Sequence, residues 1–137
     1  MAEASPADNT ENEIILTLIL LNDTDCTLGM KGLLRSDEVR SCIVDIVVDT
    51  SVSHLCLPIE VIQQLGLKKV GRANTETNSV DSYGWVRFDI EGEPDSVYRC
   101  LELPSGQMPK LGRIPLEDKG LEPDLENRCL RKVPIRV

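Results

Sequence analysis

The chain has 137 residues, which suits one domain and leaves little room for two. Its net charge of −8, from 15 basic and 23 acidic residues, argues against a nucleic-acid partner, because binding phosphates needs clustered Lys and Arg. Aliphatic side chains must fill the core, since 41 % of the chain is hydrophobic but only 3 % is aromatic. The longest apolar run, residues 14–21, is well short of the roughly 20 residues that a membrane-spanning helix needs, so no membrane partner is expected.

The cysteines and the N-terminus favour a cytoplasmic protein with reduced thiols. The five cysteines are an odd number without a Cys-x-x-Cys pair, so neither a disulfide framework nor a zinc site is expected. The first residues, MAEASPADNTEN, are acidic and polar and do not resemble a signal peptide. They offer almost nothing to bury, so we predict a mobile tail over 1–13 and one domain over 14–137.

Three strands are predicted in the first part of the domain. The apolar run IILTLILL (14–21) indicates a strand buried on both faces, and the Gly29–Gly32 region indicates a turn. A second strand over Val39–Val48 runs directly into Asp49. A short strand follows at His54–Leu57, with leucines on one face.

One helix has clear start and stop signals. Pro58 stands where a first helical turn favours proline, Glu60 complements the N-terminal dipole, and Gly66 can end the helix. An apolar stripe recurs at helical spacing through Ile59, Ile62 and Leu65.

The remainder of the chain is predicted to be mostly strand. Residues 71–79 are polar and indicate an exposed loop or hairpin tip, and Val80–Ile90 alternates as a strand should. Ser96–Leu103 returns as a strand, a short helical turn is expected around Leu116–Lys119, and the end reads as a hairpin turning near Asp124–Asn127. Short strands at regular spacing with frequent turns predict a mainly β domain that is closed or nearly closed.

Asp49 is a candidate for chemistry. It ends the most apolar strand and is followed at once by two hydroxyl residues, Thr50 and Ser51. Partial burial raises the pKa of a carboxyl group unless donors stabilise its ionised form. A carboxylate in such a turn is more often a structural cap than a catalytic group, so the turn alone leaves both interpretations open.

The residues around Asp49 resemble the retropepsin-like aspartic proteases, above all their small bacterial members. In VDTSVSHLCLPIEVIQQLGL (48–67), a hydrophobic strand, Asp-Thr-x, a short strand and a Leu-Pro helix follow in the family's order. A second block, LGRIPLEDKGLEPDLENRCL (111–130), is similar to the family's hydrophobic-Gly segment, C-terminal helix and closing strands. Upstream, GLLRSDEVRSCIVDIVVDT (32–50) also fits.

This resemblance implies a small closed-barrel domain with one or two short helices, forming half of a homodimeric aspartic protease. Two Asp49 carboxylates would share one proton and activate a water against a peptide or protein substrate, with no metal or organic cofactor. Thr50 would brace the loop across the dimer axis, and Gly112 would let a second loop pass close beneath the catalytic turn. The hairpin around 70–86 corresponds to the family's flap, with its tip placed near Asn74–Ser79.

Two positions depart from the family pattern. Asp-Thr-Gly, commonly followed by Ala, is replaced by Asp49-Thr50-Ser51-Val52, and the Cβ and hydroxyl of Ser51 could tilt the carboxylate or obstruct substrate. Lys110 stands where the family usually has an apolar residue before Leu-Gly. The alternative to an active endopeptidase is therefore a catalytically weak or inactive dimeric β domain that binds peptides or protein partners.

Two other groups of residues have simpler explanations. His54 and Cys56 could face the same side of a strand, but a nucleophile pair needs a third, orienting group and none is evident. Cys56 is better explained as a small buried hydrophobe. The segment from Asp23 begins like a calcium loop, yet Leu28 and Leu34 stand where that loop needs Gly and Glu.

Overall fold

Nine strands and three α-helices lie within residues 13–74, 78–90 and 92–134, the part of the chain that the computed structural model describes. The strands are β1 (Ile15–Asn22), β2 (Ser41–Val48), β3 (Leu55–Pro58), β4 (Lys68–Asn74), β5 (Ser79–Phe88), β6 (Ser96–Leu103), β7 (Lys110–Leu111), β8 (Leu121–Asp124) and β9 (Cys129–Lys132). The helices are α1 (Asp23–Met30), α2 (Ile59–Leu65) and α3 (Arg113–Asp118), with a short 3-10 turn at Ser36–Glu38. The tail predicted over 1–13 lies, but for Glu13, outside the described residues.

Seven of these strands form one sheet that closes on itself. Their order is β1-β2-β7-β3-β6-β5-β4, and β1 also pairs with β5 through Leu21 with Arg87 and Asn22 with Val86. Strand β4 extends the sheet beyond β5, while β8 and β9 form a separate antiparallel hairpin. The predicted mainly β class and the C-terminal hairpin are confirmed. Within the described ranges, no helix is long and apolar enough to cross a membrane.

The first strand is buried on one face only, so the expectation of two buried faces is wrong. Leu18 and Leu20 point into the core opposite Val44 and Cys42 of β2, whereas Ile19 between them is 57 % exposed. Strands β1 and β2 are antiparallel, and such a pair can cover a core with one face while water contacts the other. The continuous apolar run of β1 is therefore buried on one face of the sheet and exposed on the other.

Helix α2 is confirmed close to its predicted bounds. Pro58 is its N-cap, and Gly66 ends it in the left-handed conformation at φ 64°. Ile62 and Leu65 are buried in the core, and the side-chain amide of Asn22 donates to the Leu65 carbonyl oxygen at 2.8 Å. The helix is thereby fixed against the end of β1.

Helix α1 is absent from the sequence prediction, which placed only a turn near its end. Its Asp-Thr-Asp-Cys-Thr start has weak intrinsic helix propensity. The Asn22 side chain caps it by accepting from the Asp25 N–H at 3.0 Å. The buried Asp25 carboxylate in turn accepts from Arg40 through the backbone N–H, Nε and Nη2, at 2.8–3.0 Å. Contacts with a distant residue thus support a helix that local sequence does not favour.

The polar segment predicted as a loop over 71–79 is largely part of a hairpin. Strand β4 continues to Asn74 and pairs antiparallel with β5, which begins at Ser79. Asp81 holds the two strands together by accepting from Lys69 at 3.2 Å, with Arg72 at 3.7 Å. The predicted flap tip, Asn74–Ser79, includes residues 75–77, which lie outside the described part of the chain. The role of this hairpin as a flap stays a prediction.

Candidate active site

Asp49 lies where β2 ends, between two neighbouring segments of the closed sheet. Its backbone N–H donates to the carbonyl oxygen of Leu111 at 3.0 Å, and the preceding Val48 N–H donates to Ile14 at 2.9 Å. The Asp49 side chain is 28 % exposed, so it reaches the surface while its backbone stays fixed in the sheet. The turn after β2 therefore presents one carboxylate from a rigid base.

Both oxygens of this carboxylate face positive or donor groups of the same chain. Oδ1 accepts from the Ser51 N–H at 3.0 Å and from the Ser51 hydroxyl at 2.5 Å, while Oδ2 lies 3.8 Å from Lys110 Nζ. The Ser51 hydroxyl is the main reason that the pKa of Asp49 is lowered, and the Ser51 N–H and the Lys110 ammonium add to this. Partial burial raises the pKa of Asp49, but by less than these groups together lower it. Asp49 is thus stabilised in its ionised form.

A second loop packs against the Asp49 turn at Gly112. A Cβ on Gly112 would lie 2.5 Å from the carbonyl oxygen and 2.7 Å from the backbone nitrogen of His54, distances that real Cβ atoms do not adopt. Its φ of −87° is ordinary, so glycine is needed here for space and not for conformation. The N–H groups of Arg113 and Ile114 donate to Val52 and Ser53 at 3.0 and 2.8 Å. The two loops are therefore held together by close packing and by backbone hydrogen bonds.

Two open cavities flank the turn. One, of about 530 Å³, extends from Ser51 and Val52 to the β4–β5 hairpin, which contributes Asn74 and Val80, and to Leu101 of β6. The other, of about 500 Å³, lies on the Thr50 side and has a mainly apolar lining of Leu116, Leu121, Pro123 and Val133. Thr50 itself is exposed at the edge of this second cavity. The turn thus stands between a groove and an apolar recess.

His54 and Cys56 do not form a nucleophile pair. The Cys56 thiol is buried and donates to the His54 carbonyl oxygen at 3.5 Å, and the His54 ring nitrogen Nδ1 is paired with the Ser53 hydroxyl at 2.8 Å. Burial raises the pKa of Cys56 to about 11, so this thiol is protonated at neutral pH. In the described part of the chain, no group of three or more His, Cys, Asp and Glu residues is arranged to hold a metal ion.

The contact between Lys110 and Asp49 is the feature that sequence reasoning missed. The sequence marks Lys110 only as unusual before Leu-Gly. In the structure β7 runs parallel to β2, pairing Val47 with Lys110 and Val48 with Leu111, and this brings the lysine beside Asp49. Pairing between strands so distant in the chain has no local signal, although the neighbouring Gly112 marks the segment as one that packs closely.

No protein-family model matches the chain, and no curated protein sequence matches it. Similar solved structures include a retropepsin-like aspartic protease from Rickettsia conorii, at 17 % identity and a TM-score of 0.49, over 82 % of this chain and 87 % of that one. Another is the EIAV protease complexed with the inhibitor HBY-793, at 18 % identity and a TM-score of 0.48, over 77 % of this chain and 88 % of that one. The roles of Asp49, Thr50, Ser51 and Gly112 stay predictions that rest on the geometry of this chain.

Proposed function

We propose that the chain is one subunit of a homodimeric aspartic endopeptidase, in which two Asp49 carboxylates activate a water against a peptide bond. The observation that carries this proposal is the Asp49 turn. It offers a part-exposed carboxylate at the end of a core strand, it is fastened to a second loop through Gly112, and it opens beside a groove. Rigid placement of this kind is what general acid–base catalysis requires of its reacting groups.

The chemistry needs two carboxylates in different states. An ionised one accepts a proton from the water, while a protonated one donates to the oxygen of the scissile carbonyl. Among the described residues, the polar contacts of the Asp49 carboxylate come from Ser51 and Lys110, and neither is an acid. In this proposal the second carboxylate is the Asp49 of another copy.

The apolar recess on the Thr50 side supports such a pairing. Buried Leu116 and Leu121 line it, together with Val133, which is 43 % exposed. A second copy related by a two-fold axis would cover both recesses with the same surface and bring the two Asp49 turns together. The hairpin of β8 and β9, which stands apart from the main sheet, belongs to this surface.

The groove on the other side of the turn suits an extended peptide. It runs between the turn and the β4–β5 hairpin and has apolar groups from Val52, Leu101 and Leu103 together with the charged Glu102 and Arg113. A groove with both apolar and charged groups can receive the side chains of an extended peptide, which point alternately in opposite directions. We propose peptide segments of proteins as the substrate class.

A second candidate function is a dimeric domain that binds peptides without cutting them. It is favoured by the partners that Asp49 has within its own chain, because Oδ1 accepts two hydrogen bonds from Ser51 and Oδ2 faces Lys110. A carboxylate held ionised in both subunits would leave the pair without the proton that polarises the carbonyl.

Hydrolysis of a diverse peptide mixture by wild type and Asp49→Asn, from about pH 3 to 7, tests the proposal. We expect cleavage by wild type that is strongest in acid, unaffected by chelators and thiol reagents, and abolished in Asp49→Asn, which keeps the side-chain shape. Binding of the same peptides by both proteins, with cleavage by neither, would instead establish the second candidate. Cleavage that persists in Asp49→Asn would exclude the proposed chemistry.

A further inference from the structure

Lys110 occupies an interior position of the sheet that brings its charge to Asp49. Strand β7 lies between β2 and β3, and Lys110 pairs with Val47 on one side and with Cys56 on the other. Its side chain is 34 % exposed, and its Nζ stands 3.8 Å from Asp49 Oδ2. Because both groups are partly withdrawn from water, salt screens this pair less than a surface ion pair.

The other groups that contact the Asp49 carboxylate within the described residues carry no charge. Ser51, in the same turn, contributes a neutral hydroxyl and an N–H. Cys56, on β3, has a buried thiol whose raised pKa of about 11 keeps it protonated. Within the described ranges, Lys110 is thus the one charged side chain paired with the carboxylate.

In the proposed dimer, the positive charges of two Lys110 side chains would balance the negative charges of two Asp49 carboxylates, without a proton shared between the carboxylates. Two close carboxylates repel each other, and this repulsion normally makes one of them retain a proton near neutral pH. Two Lys110 ammonium groups, one from each subunit, would cancel both negative charges. The singly protonated pair that catalysis needs would then form only at a lower pH than for two carboxylates alone.

We propose that Lys110 is a positioning residue that acts together with Ser51 to hold the Asp49 pair ionised and so confines catalysis to acidic conditions. The proposal rests on the function proposed above, because only a catalytic pair has an activity to confine. It predicts that removal of the charge at residue 110 moves both limbs of the pH–rate profile to higher pH. A rise of one unit in the pKa that sets the alkaline limb increases the active fraction about tenfold above that pH.

The test compares Lys110→Met with Lys110→Arg. Methionine keeps the length and apolar stem of lysine without its charge, whereas arginine keeps the charge. Lys110→Gln, also uncharged, replaces Lys110→Met if that variant does not fold. The Asp49 carboxyl carbon, assigned by its disappearance in Asp49→Asn, is titrated by ¹³C NMR in each full-length protein, and the pH profile of peptide cleavage is measured in parallel.

We expect the Asp49 titration and the pH optimum of cleavage to move to higher pH in Lys110→Met and to stay near wild type in Lys110→Arg. An unchanged Asp49 titration in folded, dimeric Lys110→Met would overturn the role of Lys110, whatever the activity. If no variant cleaves peptides but the titration still shifts, the electrostatic role of Lys110 stands while the confinement of catalysis fails with the proposed function. If cleavage is present with the same pH profile in every variant, the proposed function survives and the inference about Lys110 is wrong.

Discussion

Gly112 packs so closely against His54 that a Cβ on residue 112 would stand 2.5 Å from the His54 carbonyl oxygen. Two backbone hydrogen bonds beside this contact, from Arg113 to Val52 and from Ile114 to Ser53, join the start of α3 to the turn after β2. The direction of the Asp49 carboxylate therefore depends on a loop far along the chain. A substitution that disturbs the contact between Gly112 and His54 should therefore lower the stability of the fold and displace the Asp49 carboxylate.

Gly112→Ala should destabilise the protein and remove peptidase activity. The added methyl group meets backbone atoms of residues 53 and 54, which cannot rotate away as a flexible side chain can. We expect a loss of about 3 kcal/mol in the free energy of unfolding, the upper end for overpacking. Gly71→Ala is the matched control, because a Cβ there meets nothing within 4 Å, and should change stability by less than about 0.5 kcal/mol. Equal urea midpoints for the two variants would show that the contact is not tight.

Ser51→Gly and Ser51→Ala separate two effects of the serine. Both remove the hydroxyl that donates to Asp49 Oδ1 at 2.5 Å and so should raise the pKa of Asp49, but only the glycine variant also removes the Cβ beside the groove. We expect peptide cleavage to increase from wild type to Ser51→Ala and again to Ser51→Gly, because catalysis is sensitive to displacements of about 1 Å. A folded, dimeric Ser51→Gly protein that stays inert would favour the peptide-binding alternative.

The Asp25–Arg40 pair should make the stability of the fold depend on pH. Hydrogen bonds from the Arg40 side chain are the main reason that the pKa of Asp25 is lowered below 3.8 in the folded protein. The stabilisation is therefore fully present above the unfolded pKa and is lost as the pH falls through the lower, folded pKa. At about pH 7, Asp25→Asn should cost about 2–3 kcal/mol, and this difference from wild type should shrink as the pH is lowered below 3.8.

The exposed pair of Asp37 with Arg35 provides the control for this prediction. Its two side chains lie 3.0 Å apart but are each more than 70 % exposed, so Asp37→Asn should cost less than about 0.5 kcal/mol. Chemical unfolding across the pH range measures both differences. If the two variants lose the same stability at every pH, the burial of Asp25 is unimportant.

Elements with strong local signals could be predicted from the sequence. The helix after Pro58 has a proline start and a glycine end within one short segment, and the hairpin near Asp124–Asn127 has a polar turn between its strands. The strand that leads into Asp49 is also predicted from local sequence, because it is a nearly continuous apolar run. Each of these depends on residues close together in the chain.

Elements that depend on distant partners could not be predicted. Helix α1 needs the Arg40 contacts of Asp25, and the polar strand β4 is held by pairing with β5 and by Asp81. The approach of Lys110 to Asp49 follows from the register of β7 against β2. Sequence reasoning identified Asp49 and Ser51 as candidates, but the hydrogen bonds and the charge that set the state of the carboxylate required the three-dimensional arrangement.

The apolar recess near Thr50 is the surface where we expect the proposed dimer to form. Sedimentation at micromolar concentration should give twice the mass of the chain for wild type. Val133→Asp places a charge on the recess, where the valine is 43 % exposed, and should yield monomers without peptidase activity. Ile43 on β2 is 70 % exposed and is not among the residues that line the recess, so Ile43→Asp should leave the dimer intact. Monomers of wild type, or dissociation of both variants alike, would place the interface elsewhere.

Subunit mixing tests the shared site most directly. Wild type and Asp49→Asn are unfolded together at equal concentration, refolded so that subunits assort at random, and assayed for peptide cleavage at acidic pH. If each active site needs both Asp49 carboxylates, only dimers of two wild-type chains cleave, and the rate per total dimer falls to about one quarter of that of pure wild type. A rate near one half, proportional to the number of wild-type chains, would mean that each chain works alone and would contradict the shared pair.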